Sequence, residues 1–214
     1  MCTQAHEDKY IGCVWTWILV GLEIGLSDGT YLVNNKRIDI NGEIIMISIG
    51  STAPVWNATA YQNGEVVTLS SDDYKGTWVL MYFWPFDGTA ICHSEVSGFQ
   101  SLESEFDALG VALVGVSCDS TESHKEWFTD IEAFPKGEPK HAALSDESRQ
   151  ITKDFGFHFE PANCSVRGTV LIDPNGVVQS FGANFLSVAR DPKDVLITAR
   201  AFTSGQSCSL EQRG

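Results

Sequence analysis

The chain has 214 residues, of which 43% are hydrophobic and 20% charged, and a formal net charge of -14 at pH 7. A chain of this length can build one generous core, and these proportions fit neither a disordered chain nor a membrane bundle. An acidic surface repels phosphate backbones and anionic headgroups, which argues against nucleic acid and membrane as partners.

In chain order, the most hydrophobic stretch comes first. Ile11 to Leu26 (IGCVWTWILVGLEIGL) is interrupted by Glu23 and falls short of the roughly 20 apolar residues a membrane helix needs. The preceding MCTQAHEDKY carries more acid than base, unlike a secretory signal, so the expected compartment is cytoplasmic. Composition changes near Met46. Gly42 to Met46 (GEIIM) can be encoded by a purine-rich GGNGAR stretch just before an ATG. Residues 1–45 are therefore read either as translated leader or as an N-terminal extension that adds a strand or docks on the surface. Residues 46–203 are read as one domain and residues 204–214 as a tail.

Within that domain, YQNGEVVTL (Tyr61 to Leu69) places Asn-Gly between alternating residues, a strong hairpin signal. Trp78 to Trp84 is apolar on both parities, as in a strand buried on both faces. Apolar residues at Val96, Phe99, Leu102, Phe106 and Leu109 form a helical stripe that ends at Gly110. There follow a β-rich run Val111 to Val116, a helical segment Ser123 to Glu132, a short run His141 to Leu144 and a helical segment Ser148 to Phe155. Thr169 to Ile172 and Val177 to Phe181 flank the turn Pro174-Asn175-Gly176, and a last helix is expected over Asp191 to Phe202. Alternating strands and helices with a hairpin at each end predict an α/β domain: a mixed central sheet flanked by helices.

The six cysteines, Cys2, Cys13, Cys92, Cys118, Cys164 and Cys208, include no C-x-x-C pair and no cysteine-histidine cluster of zinc-finger spacing. Neither a metal nor a cofactor is expected. Cys92 follows a buried strand and a proline-containing loop and falls in the first turn of the predicted helix. Free N–H groups and the helix dipole favour negative charge there. Taken by itself, a buried cysteine is more commonly an inert small hydrophobe; its position at a helix start argues against that reading.

The segment FWPFDGTAICHSE sets Pro85, Thr89 and Cys92 in the register P-x-x-x-T-x-x-C, which resembles the active-site loop of the peroxiredoxins. The likeness runs from about Ile47 to Ser209. It includes Gly115-Val116-Ser117, Leu144-Ser145-Asp146, and Arg167-Gly168 before TVLIDPNG. The resemblance implies a thioredoxin-like fold of peroxiredoxin type and a thiol peroxidase in which the Cys92 thiolate attacks peroxide. Arg167 would hold thiolate and peroxide, the Thr89 hydroxyl would orient the peroxide, Pro85 would shield the pocket and Glu95 would orient Arg167. Cys208, in Gly205-Gln206-Ser207-Cys208, is similar to the resolving cysteine of typical two-cysteine members, although Ser207 and Ser209 replace the usual valine and proline. That role implies a homodimer, compatible with a ring of dimers, and reduction by thioredoxin or a flavoprotein disulfide reductase. A one-cysteine peroxidase resolved by an external thiol and a redox-switched holdase on the same fold stay open as alternatives.

Members that over-oxidise easily resemble one another in a Gly-Gly-Leu-Gly loop and a C-terminal Tyr-Phe pair; here the loop reads PKGEPK, Pro135 to Lys140, and the chain stops soon after Cys208. The expected outcome is resistance of Cys92 to sulfinic acid formation. Mass spectrometry after turnover in excess peroxide checks it, and rapid accumulation of dioxidised Cys92 would contradict it.

Overall fold

The computed structural model describes residues 47–205, together with three short strands that precede them: β1 (Glu23–Gly25), β2 (Tyr31–Val33) and β3 (Lys36–Ile38). The chain divides into two compact units, Met1–Met46 and Ile47–Gly214. In the first unit β1, β2 and β3 form an antiparallel sheet in that order. Cys2, Cys13 and most of Ile11 to Leu26 lie outside the described residues, as does Cys208. Among the described residues no helix is long and apolar enough to cross a membrane.

In the second unit, β4 (Asn57–Gln62) and β5 (Glu65–Ser70) form the predicted hairpin. Its turn residues Asn63 and Gly64 sit at φ 51° and 83°, the left-handed pair that a two-residue hairpin loop requires. The order continues with β6 (Trp78–Phe83), α1 (Ala90–Ser101), α2 (Glu103–Ala108), β7 (Val111–Ser117), α3 (Thr121–Phe128), β8 (Ala142–Ser145) and α4 (Gln150–Asp154). It closes with β9 (His158–Phe159), β10 (Cys164–Ser165), β11 (Arg167–Ile172), β12 (Val178–Asn184) and α5 (Pro192–Thr203). A seven-stranded sheet runs β12-β11-β6-β7-β8-β4-β5. The pairs β6–β7 and β7–β8 are parallel, and β11 and β4 join antiparallel on either side. This is the thioredoxin-like α/β arrangement, a mixed sheet between helices.

The double-sided apolar character of β6 has a direct structural cause. Leu80, Tyr82 and Trp84 enter one core with Cys92, Val96, Phe99 and Phe106. Val79, Met81 and Phe83 enter the other with Val114, Val116, Leu144 and Phe155. Gly115 on β7 lies beneath the first of these layers: a Cβ there would meet Trp84 Cζ3 at 2.5 Å, so a larger residue would displace the ring that borders the Pro85 loop.

Three expectations are corrected. The stripe from Val96 to Leu109 belongs to two helices, because Leu102 takes φ -109° and ψ 2° and its N–H turns back to Phe99 O at 3.0 Å. The segment read as Ser123 to Glu132 starts and stops earlier; Ser120 Oγ caps the helix by accepting from Ser123 N at 3.2 Å, and Thr129 Oγ1 turns back onto Lys125 O at 2.7 Å. The segment read from Ser148 begins at Gln150 because Arg149 before it has φ 61°. The two-residue strands β9 and β10 are too short to show a period in the sequence.

Candidate active site

Cys92 is fully buried in the first turn of α1, three residues past the N-cap Thr89. Pro85, also buried, ends the strand side of the loop that leads to it. Thr89 is exposed, and its hydroxyl donates at 3.4 Å to Phe86 O.

One helical turn beyond Cys92, Glu95 is 1% exposed and holds two arginines. Arg167, at the start of β11, donates from Nη1 to Glu95 Oε2 at 2.5 Å and lies with the same nitrogen 3.5 Å from Cys92 Sγ. Its Nε donates to Leu186 O at 2.9 Å, which fixes the plane of the guanidinium. Arg190, just before α5, donates to Glu95 Oε1 from its backbone N at 2.6 Å and from Nε at 3.0 Å, and to Oε2 from Nη2 at 3.2 Å. A further nitrogen of Arg190 donates to Gly168 O, and the same one reaches Thr169 Oγ1 at 3.2 Å. Burial pulls Arg190 below the ordinary guanidinium range, and the neighbouring Glu95 opposes that pull. Two guanidiniums against one carboxylate leave net positive charge beside the sulfur, the setting in which a cysteine reacts as a thiolate.

The loop from Trp84 to Thr89 has its own anchor. Asp87 accepts from Trp84 Nε1 at 2.8 Å and from Ser123 Oγ at 2.7 Å, and pairs with His124 Nδ1 at 2.8 Å. Its backbone N donates to Asp119 Oδ2 at 3.0 Å. Asp119 is pushed up, first by burial and then by the charge of Asp87. This anchor ties the loop that carries Pro85 to α3.

The structure therefore brings Cys92, Glu95 and Arg167 into contact and places Pro85 and Thr89 on the adjoining loop; Cys208 lies outside the described residues. Sequence reasoning missed Arg190, Asp87 and His124. Arg190 carries no local signal: it stands just before the helix start Asp191-Pro192, and only the docking of α5 brings it to Glu95. Of the other thiols, burial raises Cys118 to about 11, and it sits 3.7 Å from Thr152 Oγ1, as a packed core residue. Cys164 is buried and also raised, first by burial and then by the proximity of Cys92. His93 has its Nε2 2.5 Å from Ala133 O and 3.1 Å from Ser97 Oγ, so its ring is turned toward the 130s loop.

The AhpC/TSA family model matches residues 49–181. The mitochondrial thioredoxin-dependent peroxide reductase of Mus musculus is 37% identical over 161 residues, covering 73% of this chain and 63% of that protein. A putative peroxiredoxin in the rubredoxin operon of Clostridium pasteurianum is 34% identical over 166 residues, covering 76% of this chain and 93% of that protein. The chain thus spans 63% of the length of the mouse relative and nearly all of the clostridial one. Among solved structures, reduced Plasmodium vivax 2-Cys peroxiredoxin aligns with a TM-score of 0.70 and 32% identity, covering 76% of this chain and 87% of that one. Mycobacterium bovis AhpC aligns with a TM-score of 0.71 and 28% identity, covering 79% of this chain and 100% of that one.

Replacing Glu95 by Gln leaves two buried guanidiniums without their counter-charge. The expected loss is about 3 kcal/mol of unfolding free energy, measured by urea denaturation of the reduced protein. An unchanged midpoint would show that the cluster is not held by charge.

Proposed function

The chain belongs to the AhpC/TSA family, the peroxiredoxins, and on that footing we propose that it is a thiol-dependent peroxidase reducing hydrogen peroxide and organic hydroperoxides at Cys92. The observation that carries this reading is the Arg167 Nη1 nitrogen, 3.5 Å from Cys92 Sγ and tied to buried Glu95.

The chemistry follows from that contact. The Cys92 thiolate attacks one peroxide oxygen, forming S–O as O–O breaks, and the far oxygen leaves as water or alcohol after taking a proton. Sulfur gives up two electrons and becomes a sulfenic acid. Arg167 presents N–H donors to the oxygen on which charge develops. Thr89 must turn its hydroxyl from Phe86 O to the peroxide, a rotation that an exposed side chain with a 3.4 Å bond permits at little cost. Pro85 and the buried Trp84 close the apolar side.

Cys208 of a second subunit then condenses with the sulfenic acid, releasing water and leaving an intersubunit disulfide. A dithiol protein reduces that disulfide. Thioredoxin is the favoured donor, because the 37% identical mouse relative carries thioredoxin dependence in its name. A homodimer is part of this cycle, and it is supported by the edge strand β12, whose Phe181 is 42% exposed. Residues 46–203 act in this reading as the catalytic domain, and the working compartment is the cytoplasm, where thiols are kept reduced.

Treatment of wild type and Cys208→Ser with one equivalent of hydrogen peroxide tests the cycle. A Cys92–Cys208 link between subunits on a non-reducing gel, confirmed by peptide mapping and absent from the variant, is the expected result. Oxidised Cys92 with no such link points instead to a one-cysteine cycle resolved by an external thiol.

A further inference from the structure

Behind the arginine cluster lies a second buried polar group that the peroxidase chemistry does not use. Tyr82 on β6 is fully buried, yet its hydroxyl sits 2.5 Å from His141 Nε2. His141, 6% exposed, has its Nδ1 2.6 Å from Glu103 Oε1. The same carboxylate oxygen accepts from the backbone N of Lys140 at 2.8 Å and of His141 at 3.2 Å. A carboxylate facing Nδ1 fixes the proton on that nitrogen, which leaves Nε2 as acceptor and makes Tyr82 the donor. Burial lifts Tyr82 well above the ordinary phenol range, so it keeps that proton.

The ring of Tyr82 stacks on Phe99 of α1 at 4.1 Å, and the Arg190 guanidinium carbon lies 5.7 Å from the Tyr82 centroid and 5.8 Å from that of Phe99. A phenol that donates its proton to an imidazole has a more electron-rich face, and such a face attracts a cation more strongly. Packing alone would be met by phenylalanine at 82 and an aliphatic residue at 141, without the desolvation cost of three polar side chains. The charged groups around the triad are Arg190, Glu95 and Asp87 on the Tyr82 side and Glu103 beyond His141.

We infer that Tyr82, His141 and Glu103 are positioning residues: a hydrogen-bonded triad that holds Arg190 by its ring face, and through Arg190 keeps Glu95 and Arg167 aligned on Cys92. The hydrogen bonds of the triad run to one another and not to Cys92, and the three act through the arginine. This rests on the peroxidase reading in one respect, that Cys92 is the reacting sulfur.

The test compares Tyr82→Phe, His141→Leu and His141→Gln in the full reduced chain. The Gln amide oxygen can accept from Tyr82 while its NH2 donates to Glu103. Two rates are measured for each variant, reaction of Cys92 with hydrogen peroxide and alkylation of Cys92 by iodoacetamide, alongside thermal melting. Tyr82→Phe and His141→Leu are expected to slow the peroxide reaction about threefold each, a fraction of a cation–π contact, since the ring face stays in place in both. The double variant loses little more, because both act through one path, and His141→Gln recovers most of the rate. Alkylation follows the same order. The proposal is overturned if His141→Gln is as slow as His141→Leu, or if Tyr82→Phe reacts at the wild-type rate in both assays. Equal losses of melting temperature with unchanged rates would assign the triad to packing alone and also overturn it. Should wild type prove unreactive toward peroxide, the peroxidase reading fails and the alkylation series still decides the triad.

Discussion

A buried carboxylate needs its charge matched, and most of the site can be understood from how this fold meets that need for Glu95. The residue sits one turn past Cys92 on α1, 1% exposed. Two guanidiniums arrive from distant parts of the chain, Arg167 from the start of β11 and Arg190 from the loop before α5. Each is itself nearly buried and costly to leave unpaired. Moving any one of the three exposes the other two to that cost, so the cluster fixes how α1, β11 and the α5 entry stand to one another. The Cys92 sulfur lies 3.5 Å from Arg167 Nη1, at the rigid end of this arrangement.

The rest of the domain supports that cluster from two sides. On one side the Trp84–Thr89 loop is anchored by Asp87 through Ser123 and His124, so that loop is tied to α3. On the other, the aromatic layer of Tyr82 and Phe99 lies under Arg190 and is itself pinned by His141. Gly115 makes room for the Trp84 ring between the two supports. Polar groups therefore enter the sheet interior where it meets the site, while its far face is apolar, with Val79, Met81 and Phe83 packed among Val114, Val116, Leu144, Phe155 and Phe157.

How much of this the sequence displayed depended on whether the signal was local. Pro85, Thr89, Cys92 and Glu95 fall within eleven consecutive positions and were legible as a unit, and Arg167 followed only from the family resemblance of Arg167-Gly168 before TVLIDPNG. Arg190 was not legible, since it belongs to no periodic pattern and gains its role only when α5 docks beside α1. Tyr82 was hidden in a run read for hydrophobicity, where a phenol counts as one more apolar residue. The break at Leu102 was invisible because its apolar neighbours stay in phase across the kink. The resolving role of Cys208 stands on the sequence alone, in a segment beyond the described residues.

The central claim is that the arginine beside Cys92 makes that sulfur, among the thiols of the chain, the one that reacts with peroxide. Stopped-flow mixing of the reduced protein with limiting hydrogen peroxide, followed by sulfenic acid trapping and peptide mapping, measures it directly in wild type and Arg167→Lys. The account predicts oxidation at Cys92 ahead of Cys118 and Cys164, and a rate about a hundredfold lower in the variant, the scale of losing one well-placed donor to a developing oxyanion. First oxidation at another cysteine, or an Arg167→Lys rate equal to wild type, would contradict it.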